Sequence, residues 1–172
     1  AFAGESGSGK SFLAYSVCRN AQKKGYSVIY IDTEQAVDLE DMPKFGVDSS
    51  PEKFRLIRSN KVEDVNILLT QLVDELKEQK MNGFEIPKLL IVLDSLGQMA
   101  SNKEKEDLLK GNIKQDMTKA KAMGSMFRSI NTDLGYLNIP FLVCNHTYLT
   151  MDLFPRAVLK GGNGLLYSAS VI

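Results

Sequence analysis

Gly4-Glu5-Ser6-Gly7-Ser8-Gly9-Lys10-Ser11 has the form GxxxxGKS, a spacing suited to polyphosphate. Glycine lets the backbone pass close to an anion in conformations that other residues avoid, so successive N–H groups can face phosphate oxygens. A helix-compatible stretch, FLAYSVCRNAQKK, follows directly, and its N-terminus adds positive dipole. In such a loop Lys10 reaches the β- and γ-phosphates of a nucleotide such as ATP. Ser11 sets its hydroxyl on Mg²⁺, a cation that takes oxygen ligands from phosphates and one or two protein groups.

Phosphate cleavage there needs further groups. Asp94 closes the apolar run LLIVLD, where a carboxylate holds the metal through water; alone, the same residue would read as a cap for the next segment. Glu34, in IYIDTEQA, is the leading candidate to orient or deprotonate the attacking water, with Asp32 the near alternative. His146, the single histidine, follows Asn145 where the VCN strand ends. By position it fits a structural role and a γ-phosphate sensor equally well.

Positioning these residues calls for an α/β fold. Short apolar runs alternate with helix-length amphipathic segments, the pattern of a parallel sheet wrapped by crossover helices. Strands are expected at Ser27–Ile31, Phe54–Arg58, Leu89–Asp94, Pro140–Asn145 and Leu165–Ile172. LLIVL is apolar throughout, as a strand buried on both faces would be. Asn60 and Glu63 resemble a capping box opening a helix with Val62, Val65, Leu69, Leu72, Val73 and Leu76 on one stripe. A second helix carries Ile113, Met117, Ala120, Met123, Phe127, Ile130 and Leu134. Both stripes read as core packing. Met99–Gln115 and Thr147–Lys160 read instead as loops after strand ends, where open α/β sheets bind ligands.

The 172 residues are 44% hydrophobic and 24% charged, the composition of one globular domain. Zero formal net charge argues against a protein that coats nucleic acid by bulk charge, so such contacts must come from local loops. Cys18 and Cys144 are the only cysteines and read as core residues in a reducing setting. No apolar run reaches the roughly 20 residues of a membrane span, and no leader opens the chain, so the expectation is a soluble, unexported protein. Both ends read as cut: very little precedes Gly4, and SASVI stops inside a presumed strand.

GESGSGKS, IDTE, LLIVLDS, VCNH and KGGNGLLYSAS stand in the order found in RecA-type recombinases, which the chain resembles over essentially its whole length. DSLGQMASNKEKEDLL, DMTKAKAMGSMFRSI and NIPFLVCNHTY are similar to the strand-exchange recombinases of T-even-type phages. The resemblance implies a RecA-like P-loop NTPase core, residues 1–172, with a mostly parallel central sheet and helices on both faces. It implies a DNA-dependent ATPase using ATP and Mg²⁺, which forms helical filaments on single-stranded DNA and pairs it with homologous double-stranded DNA. Mediator and single-strand-binding proteins are the implied partners, and the host cytoplasm the implied location. The polymerisation segment and the residues that complete the site from a neighbouring subunit would lie outside this chain.

Carried over by position, the resemblance makes Glu34 the water-activating carboxylate, with Lys10 and His146 also catalytic. Gly4 through Ser11 and Asp38 would hold the nucleotide, and Ser11 and Asp94 the metal. DNA would meet Lys110 and Lys114 in the first loop, then Tyr148, Phe154, Arg156 and Lys160 in the second. The first region has only a weak basic bias, six Lys against four acids from Lys103 to Lys121. Tyr148, Met151, Leu153 and Phe154 read either as base-contacting groups or as a subunit interface. One departure is chemical: the family's adenine-stacking tyrosine falls at Asp41, which cannot stack. The rival readings are a hexameric helicase or clock-type ATPase core, and a non-catalytic nucleotide-binding mediator.

Overall fold

A computed structural model describes residues 1–110, 118–160, 165 and 168–171. Ile113, Lys114, Met117 and the Gly-Gly-Asn-Gly run lie outside the described residues. In chain order come β1 (Phe2–Gly4), α1 (Lys10–Lys23), β2 (Ser27–Asp32), a 3-10 turn (Met42–Phe45), β3 (Phe54–Arg58), α2 (Val62–Met81) and β4 (Leu89–Asp94). A second 3-10 turn (Leu96–Gln98), α3 (Asn102–Leu109), α4 (Thr118–Leu137), β5 (Phe141–Leu149) and β6 (Ala157–Leu159) follow.

The six-stranded sheet has the order β1-β5-β4-β2-β3, with β6 added to β5. Every pairing is parallel except β5 with β6. This is the expected α/β architecture, compatible with a RecA-like core.

Strand β4 explains the two-faced core. Its alternate residues Leu89, Ile91 and Leu93 join one apolar cluster, with Val65, Leu69 and Val73 of α2 and Met126, Phe127 and Ile130 of α4. Leu90 and Val92 join another, with Ala14 and Cys18 of α1. A strand's side chains point alternately to opposite faces, so a run buried on both must be apolar at every step. The stripe of α2 and, from Met123 to Leu134, that of α4 therefore do what their spacing predicts. Lys77 pairs with Asp133 at 2.9 Å, and the Lys80 ammonium lies 4.0 Å from the centre of the Tyr136 ring, joining α2 to α4 at the surface.

Four expectations are corrected. Met99–Gln115 is not one loop, because α3 occupies Asn102–Leu109 and Met99 is buried in the core. Leu165 and Ser168 are helical and residues 169–171 are not in a strand, so the described part of Leu165–Ile172 is not a strand; Leu165 instead packs its side chain into the core. Thr147–Lys160 is not one loop: β5 continues to Leu149 and pairs with β6, with Tyr148 opposite Val158, because Thr, Tyr and Val suit a ladder. The start of α2 differs from the expected capping box. Helix α2 has Lys61 at its N-cap with no side-chain hydrogen bond, and Glu63 instead accepts from the Asn102 N–H at 3.1 Å, at the start of α3.

Candidate nucleotide site at the strand ends

The loop from Glu5 to Gly9 joins β1 to α1 and is built on left-handed glycines. Gly7 has φ of 75° and Gly9 of 86°, a region costly for residues bearing a Cβ. Lys10, 7% exposed, bends back over the loop. Its ammonium donates to the carbonyls of Gly4 at 3.1 Å and Glu5 at 2.6 Å, with a longer contact to Ser8 Oγ at 3.4 Å. Burial of a charge is costly without partners, and these carbonyls hold the cation at the mouth of the loop.

Three parallel strands carry the other groups to that mouth. Asp32 and Asp94 are register partners at the ends of β2 and β4, while Gly4 of β1 is the register partner of His146 of β5. Thr33 locks the ends together: its N–H donates to Asp94 O at 2.9 Å, its hydroxyl to Ser95 O at 2.8 Å, and Ser95 N–H to Thr33 Oγ1 at 2.8 Å. The Asp94–Ser95 peptide is cis.

The two acids of IDTE separate here. Asp32 is buried and accepts from the N–H groups of Glu34 at 3.0 Å and Val37 at 2.9 Å. It is a turn-forming cap, which removes it as the alternative base. Glu34 faces the cleft. Its Oε1 accepts from Ser95 Oγ at 2.8 Å and lies 2.9 Å from His146 Nε2. An ionised carboxylate only accepts, so Nε2 carries the proton. Partial burial alone would raise the Glu34 carboxyl, but the hydrogen bonds from His146 and Ser95, with the charges of His146 and Lys10, outweigh it and hold the group below its ordinary value. Asp94 accepts from the Tyr30 hydroxyl at 2.7 Å. Burial first, and the Asp94 charge second, push the Tyr30 phenol up, so it stays a donor.

A cleft of about 260 Å³ joins Ser6, Gly7, Gly9, Lys10, Ser11, Phe12, Glu34, Asp94 and His146. It therefore gathers the predicted Lys10, Ser11, Glu34, Asp94 and His146. The exposed Asp38 lies outside that lining, and its carboxylate accepts from the Glu40 N–H at 2.9 Å. The half-buried Asp41 pairs with Lys44. A larger cleft of about 470 Å³ beside α4 is walled by residues such as Phe127, Leu134 and Leu165 and has no acidic, basic or histidine side chain in its lining. The chemistry-bearing groups belong to the smaller one.

The donor set fits a nucleotide triphosphate with Mg²⁺. An ammonium and a glycine-built loop suit phosphate, and a hydroxyl with one strand-end carboxylate suits a hard cation that shares its shell with phosphates. Among the described residues no group of three or more His, Cys, Asp or Glu side chains is placed to hold a metal ion by itself.

The β5–β6 hairpin leaves this site directly. Asn145 Nδ2 donates to Lys160 O at 3.0 Å, and Lys160 N–H to His146 O at 2.9 Å. Across the tip, the Arg156 N–H donates to Thr150 Oγ1 at 3.0 Å. Tyr148, Met151, Leu153 and Phe154 are exposed. Lys110 sits beyond α3, its ammonium 3.9 Å from Glu106, and Lys114 is outside the described residues. Sequence reasoning missed Phe12 in the cleft lining and the roles of Thr33, Ser95 and Tyr30. Only Ser95 carried a signal, its place directly after Asp94.

Among the described residues no helix is long and apolar enough to cross a membrane. No protein-family model matches the chain. The chain is similar to a protein of Enterobacteria phage T4 named "Recombination and repair protein", with 33% identity over 144 residues. That stretch takes in 84% of this chain and 34% of the phage protein, so the chain spans about a third of its relative's length.

Proposed function

We propose that this chain is the nucleotide-binding core of a phage-type recombination and repair protein, an ATP-dependent recombinase of the RecA type. The observation that carries the reading is the convergence of Lys10, Ser11, Glu34, Asp94 and His146, from four separate segments, on one cleft at the strand ends. The similarity to the phage recombination and repair protein supports the biological role.

The loop from Gly4 to Ser11 would hold the triphosphate of ATP, and Ser11 and Asp94 would hold Mg²⁺, which neutralises charge on the phosphate oxygens. Glu34 would take a proton from water as the water oxygen bonds to the γ-phosphorus and the bond to the ADP oxygen breaks. His146 would report the γ-phosphate to the hairpin through its backbone bond to Lys160. A γ-phosphate contact made with ATP and lost with ADP is the differential interaction a two-state segment requires.

Tyr148, Phe154, Arg156 and Lys160 on or beside that hairpin, with Lys110 and Lys114, would meet single-stranded DNA in a helical filament of many copies, and double-stranded DNA during strand exchange. Exposed rings beside a cation suit stacked bases and phosphates. The deciding measurement is ATP turnover with and without single-stranded DNA in the protein of full length, together with electron microscopy on an ATP analogue. Stimulated turnover and a helical filament are expected. A closed ring would favour a helicase-type core, and DNA binding without turnover would favour a mediator.

A further inference from the structure

Phe12 stands out at the site because no role above uses it. It follows Ser11 in the first turn of α1 and lines the phosphate cleft, yet 59% of its surface is exposed. The adjacent Leu13 is also exposed, so an apolar surface opens beside the polar cleft.

The ring also has an aromatic wall behind it. Phe45 meets it edge-on, with centroids 6.2 Å apart and planes at 78°. Phe45 lies 5.1 Å from Tyr15, and Tyr15 lies 5.9 Å from Tyr30. Tyr30 is fully buried and bonds Asp94 through its hydroxyl. A ladder of aromatic contacts thus runs from the core to the rim and ends in an open ring. Such a ring is pre-organised, so covering it with a second flat group costs little ordering entropy.

The occupant follows from continuity with the cleft. Phosphates held by Gly4 through Ser11 carry a sugar and a base outward, and a cleft of about 260 Å³ is smaller than the roughly 300–1,000 Å³ of sites that enclose a whole ligand. A base carried by phosphates in that cleft would extend to its rim. The nearby 3-10 turn offers Asp41 and Lys44, but these pair with each other, and neither has a ring.

We propose that Phe12, backed by Phe45, is the platform on which the heteroaromatic base of the bound nucleotide stacks. This inference rests on the nucleotide reading proposed above. Every base has a π-face, so an aromatic platform binds bases by stacking.

The test is calorimetric titration of the 172-residue chain with Mg-ATP and, separately, with inorganic tripolyphosphate, which has the phosphates and no base. Phe12→Ala is expected to weaken ATP about 5- to 100-fold and leave tripolyphosphate unchanged. The chain has no tryptophan, so Phe12→Trp provides a single reporter. It should bind ATP at least as well as the parent, with its fluorescence quenched by ATP and not by tripolyphosphate. Unchanged ATP affinity in Phe12→Ala, or equal loss for both ligands, would overturn the platform. So would a parent chain that binds tripolyphosphate as tightly as ATP. A parent that binds neither ligand would overturn the nucleotide reading itself, and the platform with it.

Discussion

Glu34 Oε1 and His146 Nε2 lie 2.9 Å apart although 112 positions separate the two residues in the chain. The pair joins the end of β2 to β5 across the mouth of the phosphate loop. On the function proposed above, it is also where chemistry in the cleft would meet the backbone that continues into the β5–β6 hairpin. Disturbing either partner should therefore change both catalysis and its communication.

Glu34→Gln keeps the shape of the side chain and one oxygen able to accept from Ser95 and His146, but removes the proposed base. Steady-state ATP turnover should fall about 10²- to 10⁴-fold, with Mg-ATP affinity within about threefold of the parent because the phosphates are held elsewhere. Unchanged turnover would remove Glu34 from the catalytic role.

The pH dependence has a definite sign. A carboxyl held below its ordinary value binds protons less readily in the folded chain than in the unfolded one. Its contribution to stability is complete above the ordinary value of 4.5 and is lost as pH falls through the lower folded value. His146→Ala should move Glu34 back up and shrink that acid-side loss. Carbonyl NMR titration of Glu34 and urea unfolding between about pH 6 and pH 3 would read both effects. A Glu34 titration that stays in place would mean that Ser95 and Lys10 hold the carboxylate without help.

Thr33→Val exchanges a hydroxyl for a methyl at a site where the Ser95 N–H and carbonyl both bond to Thr33. Leaving those buried groups without a partner should cost about 1–3 kcal/mol. Chemical denaturation should report the loss, and turnover should fall further than Mg-ATP affinity as Ser95 releases Glu34. Equal stability in the variant would mean the strand ends are held by the sheet alone.

On the hairpin, Phe154→Ala and Arg156→Ala separate two kinds of contact. Loss of the ring should weaken single-stranded DNA binding about 5- to 100-fold with an unchanged salt slope. Loss of the guanidinium should reduce the slope of log affinity against log salt by about 0.7. If neither variant changes affinity in the full-length protein, the exposed hairpin is a protein contact.

In the core, Leu69→Ala should cost about 2–5 kcal/mol in urea unfolding, because Leu69 is fully buried between α2 and the sheet. Ile67→Ala, on the exposed side of the same helix, should cost under about 0.5 kcal/mol. Comparable losses would contradict the packing assigned to α2.

Features that depend on neighbours in the chain were legible without coordinates. The glycine-rich loop from Gly4 to Ser11 is contiguous, LLIVL is apolar because both faces of β4 are covered, and the stripe from Val62 to Leu76 follows helical periodicity. Features that depend on distant partners were not. Asp32 and Glu34 are both acids at one strand end, and only the turn that aims the Glu34 and Val37 N–H groups at Asp32 leaves Glu34 in the cleft. His146 acquired Glu34 as its partner from the sheet order, in which β2 pairs with β4 and β4 with β5, strands that lie far apart in the sequence. Glu63 was diverted from a cap on its own helix to the start of α3, and β5 was lengthened by an antiparallel partner that its own residues do not specify. Local composition thus determined the loop, the central strands and the helix faces. Tertiary structure decided which acid faces the cleft, what His146 touches and where Phe12 opens, because each depends on groups brought together by the sheet.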